Sequence, residues 1–307
     1  MTYGSEVWGP FGNFDYEQWD TSNIEIVHLY FCKYILGVNR STTNNLVRGE
    51  LGEFPIKTLV DTKSIEFYKH LSMSENEILT QSLNIDKELH MDGFKNTLTG
   101  YIGTLQQNVS PQNTSLLTLS KKLVKKSFKN HYQKIWRRTS MIQNCPKSKF
   151  VSSLKKDIKL ETYLVRIEDR SLRTIMTKFR ISDHDLKIEK GRYMGIKRTE
   201  RHCPYCHTKL IENENHFLVD CPLYDIHRKT LFKKIKQRYP VSKTIMKTQM
   251  LDLFRSSDTV RLVALSSFLS NSFLDRYIFT TLMQIGQVTL MPIVPPLAMC
   301  FKLAILL

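Results

Sequence analysis

The sequence His202-Cys203-Pro204-Tyr205-Cys206 is followed ten residues later by His216-Phe217-Leu218-Val219-Asp220-Cys221. The spacing, C-x2-C-x9-H-x4-C, supplies three thiols and one imidazole. Such a set is typical of a tetrahedral structural zinc site, and the C-x2-C pair is typical of a compact knuckle. The motif therefore predicts a structural Zn2+ ion held by Cys203, Cys206, His216 and Cys221. Protein ligands fill all four positions in this arrangement, which leaves none for a catalytic water.

The remaining cysteines bear on the same prediction. The N-terminus lacks the basic start and apolar core of a secretory signal, so the six cysteines indicate thiols or metal ligands in a reducing, nuclear or cytoplasmic compartment. Two alternatives stay open: unliganded thiols, and His202 or His207 as a replacement ligand. Cys145 and Cys300 have no cysteine or histidine at a metal-ligand spacing. Cys32 lies in the first predicted helix and is expected to be a buried packing residue.

The charge of the chain is concentrated in its middle. The 307 residues suffice for about two domains, and a hydrophobic content of 41% excludes a wholly disordered or collagen-like chain. The net charge is +16, and residues 121–198 alone hold 23 basic and 7 acidic side chains. A basic segment of this kind favours a polyanionic partner, and we expect that partner to be RNA or DNA.

Hydrophobic periodicity predicts a mainly α fold, with a helical bundle-like N-terminal region, a basic helical middle, a small zinc-knuckle element and a helical C-terminal part. The first helix is predicted at 23–36, with Ile24, Val27, Phe31 and Ile35 at helical intervals on its apolar face. Further helices are predicted in this order: a short one ending near Gly49 or Gly52, then 55–71, 115–138, 148–158, 171–180, one from Ser182 to Gly191, 222–239 and 258–284.

The helix at 115–138 carries a row of lysines. Lys122, Lys125, Lys126 and Lys129 fall at i, i+3, i+4 and i+7, so one face presents four ammonium groups within two turns. Like charges at this spacing repel each other by about 0.2 to 0.5 kcal/mol per pair. A ligand that neutralises them is therefore favoured, and an ordinary solvated face is the alternative.

The last segment, 288–307, is strongly apolar and long enough to cross a membrane. However, Pro292, Pro295 and Pro296 remove backbone donors, and Lys302 lies inside the stretch. These features favour a terminus that packs on the core, and a membrane anchor is the less favoured alternative.

Catalytic motifs are absent from the sequence. It contains no phosphate-binding glycine motif, no G-x-S-x-G, no H-E-x-x-H and no adjacent aspartate pair. His184 stands between Asp183 and Asp185, but a helix start explains these two acids better than acid-base catalysis does. We assign no catalytic residue and expect no small-molecule substrate.

Several stretches resemble a known family. YGSEVWG at 3–9, VHLYFCKYILGV at 27–38 and VRGELG at 47–52 are similar to the segment after the palm and to the thumb-side region of one group of polymerases. Residues 172–180, IEKGRY at 188–193 and the Cys-His motif are similar to the distal region of the same group. In this order they resemble the C-terminal part of the reverse transcriptase of non-LTR (LINE-type) retrotransposons.

The resemblance implies an organisation. With the composition of the chain it predicts a thumb-like helical region at 1–105, a basic helical region at 116–200, a zinc knuckle with its following helix at 201–240, and C-terminal helices with the apolar tail at 241–307. The residues between the first two regions, 106–115, are polar, contain Pro111 and lack an apolar period, which predicts a linker. The endonuclease and the aspartate-bearing palm of that family have no counterpart in this sequence. We therefore expect a truncated piece without polymerase or nicking activity.

The expected function is nucleic-acid binding by a zinc-binding retroelement protein, and the alternative is a zinc-stabilised helical module for protein–protein interaction. Phosphate contacts are predicted for basic residues and base stacking for residues of the knuckle. The sequence does not distinguish RNA from DNA and does not predict an oligomeric state. The candidate nucleic-acid-binding residues are Lys122, Lys125, Lys126, Lys129, Arg137, Arg138, Arg173, Arg180, Arg192, Arg198, Tyr205, His207 and Phe217.

Overall fold

The chain is mainly helical, which confirms the predicted fold class. The computed structural model describes residues 3–5, 16–89, 118–141 and 148–284. Within these ranges, β structure is limited to two isolated antiparallel bridges, Leu51 with Leu160 and His202 with Ile211.

The chain divides into two compact units. The predicted linker at 106–115 lies outside the described residues, and the division into five segments stays a prediction. The predicted basic segment 116–200 contributes to both units. Unit 1 comprises Met1–Ile35, Arg40–Asn144 and Lys156–Leu160, and unit 2 comprises Leu36–Asn39, Cys145–Lys155 and Glu161–Leu307.

Unit 1 is built around two long helices that pack side by side, Ile56–Ser72 and Lys121–Met141. Val124, Phe128 and Trp136 lie four or eight residues apart on the second of these and are fully or almost fully buried. This spacing places one apolar ridge against the core and leaves the lysine row on another side. The described helices of this unit are α1 Tyr16–Trp19, α2 Asn23–Leu36, α3 Asn44–Leu51, α4 Ile56–Ser72, α5 Glu77–Leu89 and α6 Lys121–Met141.

Helix α3 ends at Gly52, where both the backbone conformation and the close approach of another segment require glycine. Gly52 has a φ of +71°, the left-handed conformation that ends many helices. A Cβ atom at this position would lie 2.2 Å from the backbone nitrogen of Leu160. Of the two predicted ends, Gly49 is therefore interior to the helix and Gly52 closes it.

Unit 2 is organised by its longest helix, Thr259–Gln284, which packs on most of the others. Its core includes a stack of the Phe179 and Phe254 rings, with ring centroids 5.6 Å apart, and the fully buried Phe217. The same hydrophobic cluster includes Cys203 and Cys221, so the Cys-His motif is continuous with the core. The α-helices of this unit are α7 Ser148–Leu154, α8 Thr162–Arg166, α9 Arg170–Arg180, α10 Lys187–Tyr193, α11 Asp225–Lys234, α12 Lys243–Phe254 and α13 Thr259–Gln284.

The bounds of α2 match the prediction, but its predicted apolar face is wrong. Val27, Phe31 and Ile35 are 41%, 51% and 62% exposed. The helix instead buries Leu29, Cys32 and Leu36 together with the carboxylate of Glu25. Because the Glu25 carboxylate is buried, the buried side of α2 differs from the side that the hydrophobic residues alone predict.

The predicted start of α10 is also wrong. Ser182 has a φ of +54° and donates its hydroxyl to Glu214 Oε1 (2.9 Å), so it lies in a turn and caps no helix. The helix begins at Lys187 and continues through Gly191, where a Cβ atom would lie 2.8 Å from the Arg201 side chain. Close packing of Arg201 explains this glycine better than a helix end does.

None of the described helices is both long enough and apolar enough to cross a membrane. The apolar segment 288–307 lies outside the described residues.

Candidate metal centre and nucleic-acid interface

The first pair of predicted ligands lies on a hairpin. The Cys203 N–H donates to the Leu210 carbonyl (2.9 Å), and His202 pairs with Ile211 in an antiparallel bridge. Lys209 has a φ of +51°, which helps the chain to turn back between the two arms. The hairpin thus closes the loop that carries both thiols of the C-x2-C pair.

The second pair of ligands flanks a turn of π-helix, His216–Asp220. The Cys221 N–H donates to the His216 carbonyl (2.8 Å), five residues earlier. In an α-helix residues five apart point in different directions, whereas the wider π-turn brings them to one side. Asn213 Oδ1 accepts the His216 N–H (2.9 Å) at the start of the turn. This π-turn therefore explains why four residues separate His216 from Cys221 in the motif.

The four predicted ligand atoms come together, and all lie within 4.8 Å of one another. Cys203 Sγ and Cys221 Sγ are 4.0 Å apart, and Cys206 Sγ and His216 Nε2 are 3.4 Å apart. Ordinary zinc–sulfur and zinc–nitrogen bond lengths imply tetrahedron edges of about 3.8 Å between two sulfurs and about 3.5 Å between sulfur and nitrogen. The cluster can therefore hold a metal ion with tetrahedral coordination.

The chemistry of these donors also suits a cation. The pKa of the Cys203 thiol is raised well above its ordinary value, because it shares a hydrogen bond with Cys221 and is buried. A divalent cation among the thiols favours the thiolate forms that coordinate it. His216 is buried, its Nε2 atom shares a hydrogen bond with Cys206 Sγ, and its Nδ1 atom has no hydrogen-bond partner among the described residues.

A buried ion pair lies behind the hairpin. The Glu212 carboxylate accepts hydrogen bonds from Arg276 of α13 and from the Lys187 N–H (2.6 Å), and it lies 3.9 Å from Cys203 Sγ. Burial lowers the pKa of Arg276, but the nearby Glu212 carboxylate raises it, and the net direction is upward. Arg276 therefore remains charged and ties the long C-terminal helix to the metal-binding loop.

Further contacts attach the motif to two helices. The Arg276 guanidinium lies over the Tyr205 ring, 4.8 Å from its centroid, and the Tyr205 hydroxyl shares a hydrogen bond with Thr280 Oγ1 (2.6 Å). From α11, Arg228 donates to the Cys221 carbonyl (2.6 Å). Both halves of the motif are therefore fixed by residues outside it.

The predicted lysine row lies on α6 in unit 1. Lys122, Lys125 and Lys126 are exposed. Lys129 is half-buried, and its ammonium group lies 4.6 Å from the centroid of the Phe54 ring. Three of the four lysines are therefore exposed to a ligand, and the fourth is partly covered.

The predicted arginines differ in how many of their donors are available. Arg138 and Arg198 are exposed, as is Arg137, which also pairs with Asp157. Arg173 is half-buried and donates to the Ile167 and Glu168 carbonyls (2.8 and 3.0 Å). Arg192 is half-buried and pairs with Glu189 (3.2 Å). The exposed set is thus Arg137, Arg138 and Arg198, to which the exposed His207 of the knuckle is added.

Three predicted contact residues are corrected by the structure. Arg180 is 1% exposed because it donates to Glu161 Oε2 (2.7 Å) and to the Phe254 carbonyl (3.0 Å). Phe217 is fully buried in the aromatic core, and Tyr205 is 6% exposed beneath Arg276. Arg180 therefore does not reach a phosphate, and neither ring can stack on a base.

Sequence reasoning did not identify Glu212, Arg228 and Arg276 as supports of the metal cluster. Arg276 lies 64 residues from Glu212 along the chain, so no local spacing marks the pair. It also missed Tyr193, whose side chain is 69% exposed next to Arg192, with the guanidinium 4.9 Å from the ring centroid. Of these residues, only Tyr193 could have been identified from the sequence, because an aromatic residue next to an arginine is a pattern typical of nucleic-acid-binding surfaces.

Comparisons with protein-family models, with curated proteins and with solved structures return no match for this chain.

Proposed function

We propose that this protein binds RNA or DNA through a basic helix face and carries a structural zinc ion, as a non-catalytic piece of a LINE-type retrotransposon reverse transcriptase. The resemblance of its motifs supports the retroelement origin. The chemistry of the described side chains supports the binding function and the choice of metal.

The observation that carries the binding proposal is the exposure of Lys122, Lys125 and Lys126 on one face of α6. The ion pairs described in unit 1 join other side chains, such as Arg137 with Asp157. Three exposed ammonium groups within two turns raise the local positive potential, and phosphates relieve their mutual repulsion. Spacing along one helix face suits a backbone of successive phosphates.

Zinc is the metal that best fits three thiolates and one imidazole in a tetrahedral arrangement. Four protein ligands leave no open position for a substrate or a reactive water, which indicates a structural ion. Its role in the proposed function is to hold the hairpin and the π-turn of unit 2 together. Arg198 and His207 remain exposed in this unit and are the candidates for further contacts with nucleic acid.

The test is a titration of a fluorescent single-stranded RNA, and of a DNA of the same sequence, with the full chain. Fluorescence anisotropy measures binding at several salt concentrations. If about six phosphates are contacted, log K falls against log salt with a slope of about −4. In the triple variant Lys122→Gln/Lys125→Gln/Lys126→Gln we expect the slope to be shallower by about 2, because about three contacts are lost.

A matched control variant loses the same number of positive charges in unit 2. Lys233, Lys234 and Lys247 are exposed in unit 2, and the triple variant Lys233→Gln/Lys234→Gln/Lys247→Gln should retain the wild-type slope. An equal effect in both triple variants would show that net charge and not the α6 face governs binding. A flat salt response, together with salt-resistant association with an acidic protein, would instead favour the protein–protein interaction module.

A further inference from the structure

The outer face of α2 is a continuous apolar surface in the described part of unit 1. Its exposed side chains are between 41% and 62% accessible to solvent. They come in neighbouring pairs four residues apart, which places all of them along one side of the helix. The six residues, here called the α2 stripe, are Ile26, Val27, Tyr30, Phe31, Tyr34 and Ile35.

The charged groups near this stripe make contacts within the chain. The Glu25 carboxylate is buried on the opposite side of α2, where it accepts hydrogen bonds from Trp19 Nε1 (2.9 Å) and Arg48 (2.7 Å). Lys33 donates to the Arg40 carbonyl (2.7 Å), and the Arg40 guanidinium lies 5.3 Å from the centroid of the Tyr30 ring. The hydrogen bonds of Glu25 fix the rotation of the helix, so the apolar side chains cannot turn inwards.

The area of the stripe is large for a surface without a binding role. Six large side chains at half exposure present on the order of 600 Å2, which is at the upper end of the largest apolar patch on a typical monomer. A standard interface buries about 800 Å2 on each partner, so the stripe supplies most of a small one. An interface of this size and composition suits reversible association.

We propose that the α2 stripe is an isologous interface that pairs with the same stripe of a second copy of this chain, with the two helices antiparallel. In a two-fold interface, each residue that contacts a second residue must also be contacted by it across the axis. The stripe meets this condition, because the Tyr30 and Phe31 pair lies midway between the aliphatic pair at 26 and 27 and the Tyr34 and Ile35 pair. Antiparallel pairing sets the central aromatic pair against its own copy and each outer pair against the other.

Aromatic side chains make this arrangement favourable at its centre. Tyr30 and Phe31 are already in edge contact, with ring centroids 5.9 Å apart, and four such rings would meet at the two-fold axis. Tyrosine hydroxyls at the edge of the interface can remain in water while the rings are covered. The proposal does not depend on nucleic-acid binding or on the metal, since it concerns a different helix of unit 1 and different side chains.

Sedimentation equilibrium of the nuclease-treated full chain tests the proposal. We expect a reversible dimer that is retained at high salt, because apolar burial drives it. The double variant Tyr30→Glu/Phe31→Glu should weaken the dimer at least tenfold while circular dichroism stays unchanged. A control variant, Val260→Glu/Tyr277→Glu, alters two exposed apolar residues of α13, 63% and 69% accessible, and should dimerise as the wild type does.

A charge-rescue experiment tests the antiparallel register. Residue 26 faces residue 34 of the second copy in this register, so Ile26→Lys and Tyr34→Glu should each weaken the dimer. The double variant Ile26→Lys/Tyr34→Glu should recover at least threefold of the affinity that either single variant loses, because opposite charges then meet across the axis. A chain that is monomeric at about 100 µM, or a dimer that Tyr30→Glu/Phe31→Glu leaves unchanged, would overturn the proposal. Dimerisation without charge rescue would overturn the antiparallel pairing.

Discussion

One buried polar centre of unit 1 and one of unit 2 differ in what satisfies them. In unit 1 the Glu25 carboxylate accepts hydrogen bonds from Trp19 Nε1, the Ile56 N–H, His28 Nδ1 and Arg48, at 2.9, 2.8, 3.1 and 2.7 Å. Every donor belongs to the chain itself. In unit 2 the Cys-His cluster gathers four soft donors around a space that suits a cation. The carboxylate of the first polar centre is therefore satisfied by the chain, whereas the donors of the second can hold a metal ion.

This difference has an electrostatic basis. The pKa of Glu25 is lowered overall: burial raises it, but hydrogen bonds from His28, Arg48 and the Ile56 N–H outweigh the burial. The pKa of the Cys203 thiol is raised, because a second thiol and burial both disfavour its charge. The carboxylate is thus charged and satisfied by protein donors, whereas a bound cation would favour the thiolate forms of the cysteines in unit 2. We infer that unit 1 folds on its own interactions and that unit 2 depends on metal.

Removal of the metal should produce the largest effect. Structural zinc contributes on the order of 10 kcal/mol to the folding of small zinc-binding peptides, which is comparable with the whole stability of a typical domain. Chelation, or the double variant Cys203→Ser/Cys206→Ser, should therefore unfold unit 2, since Cys203 and Cys221 belong to its hydrophobic core and Cys206 packs against it. We expect a loss of far-ultraviolet circular dichroism and of one zinc per chain by elemental analysis.

Tryptophan fluorescence separates the two units in this experiment. Trp8 lies outside the described residues and is replaced by phenylalanine in the background of this experiment. The two remaining tryptophans, Trp19 and Trp136, are buried in unit 1. Their emission should stay unchanged while the helical signal of unit 2 is lost. Cys32→Ser is the control, because this buried cysteine of α2 is outside the cluster and should leave the zinc content at one per chain. Zinc that persists in the double cysteine variant would refute the assignment, and a coincident change in tryptophan emission would contradict the independence of unit 1.

The next effect in size is expected from the polar centre of unit 1. Arg48 is 1% exposed and pairs with Asp20 (2.5 Å) as well as with Glu25. Glu25→Ala leaves buried donors without an acceptor, and loss of one partner from a buried ion pair costs about 3 to 5 kcal/mol. We expect that decrease in the free energy of unfolding of unit 1, measured by tryptophan emission in urea.

A paired replacement shows whether the cost comes from the missing charge or from the missing volume. The double variant Glu25→Leu/Arg48→Met fills similar space without charges, and such replacements are often close to neutral. We therefore expect it to be more stable than Glu25→Ala. A change in the urea midpoint for Glu25→Ala that is no larger than that of a surface substitution would contradict the prediction. The Glu25 carboxylate would then not stabilise unit 1.

The contrast between the units also explains what the sequence predicted well. The ligands Cys203, Cys206, His216 and Cys221 were predicted from spacing alone, because a hairpin and a π-turn are local structures that leave a fixed interval. The mainly α fold was predicted from periodicity for the same reason. Zinc itself stays a prediction, since the structure shows only that the four donors can hold a metal ion.

Long-range partners explain what the sequence did not predict. The buried face of α2 depends on Glu25, whose partner Arg48 is 23 residues away along the chain, so a hydrophobic pattern assigned the wrong side. Arg180 looked like any other basic residue until Glu161 and the Phe254 carbonyl, 19 and 74 residues away, were in place. Local patterns specify elements and ligand intervals, whereas the choice between a buried and an exposed charge depends on contacts across the fold.

The smallest expected effect is a pH dependence that belongs to unit 1. The pKa of His28 is raised from 6.5 to about 10 by hydrogen bonds to Cys32 and Glu25, in opposition to burial. The folded state therefore binds the proton more tightly than the unfolded state does. Its stabilising contribution is complete below about pH 6.5 and is lost as the pH rises towards about 10. Because the His28 side chain is 20% exposed, solvent screening reduces this contribution to on the order of 1 kcal/mol.

The difference in the free energy of unfolding between the wild type and His28→Gln measures this contribution, with tryptophan emission in urea as the readout. We expect the difference to be largest near pH 6 and to decline steadily up to about pH 10. In a Cys32→Ala background the decline should be complete at a lower pH, because one of the hydrogen bonds that raise the pKa of His28 is missing. A difference that stays constant with pH would mean that His28 acts by packing, and the polar centre of unit 1 would then rest on Glu25 and Arg48 alone.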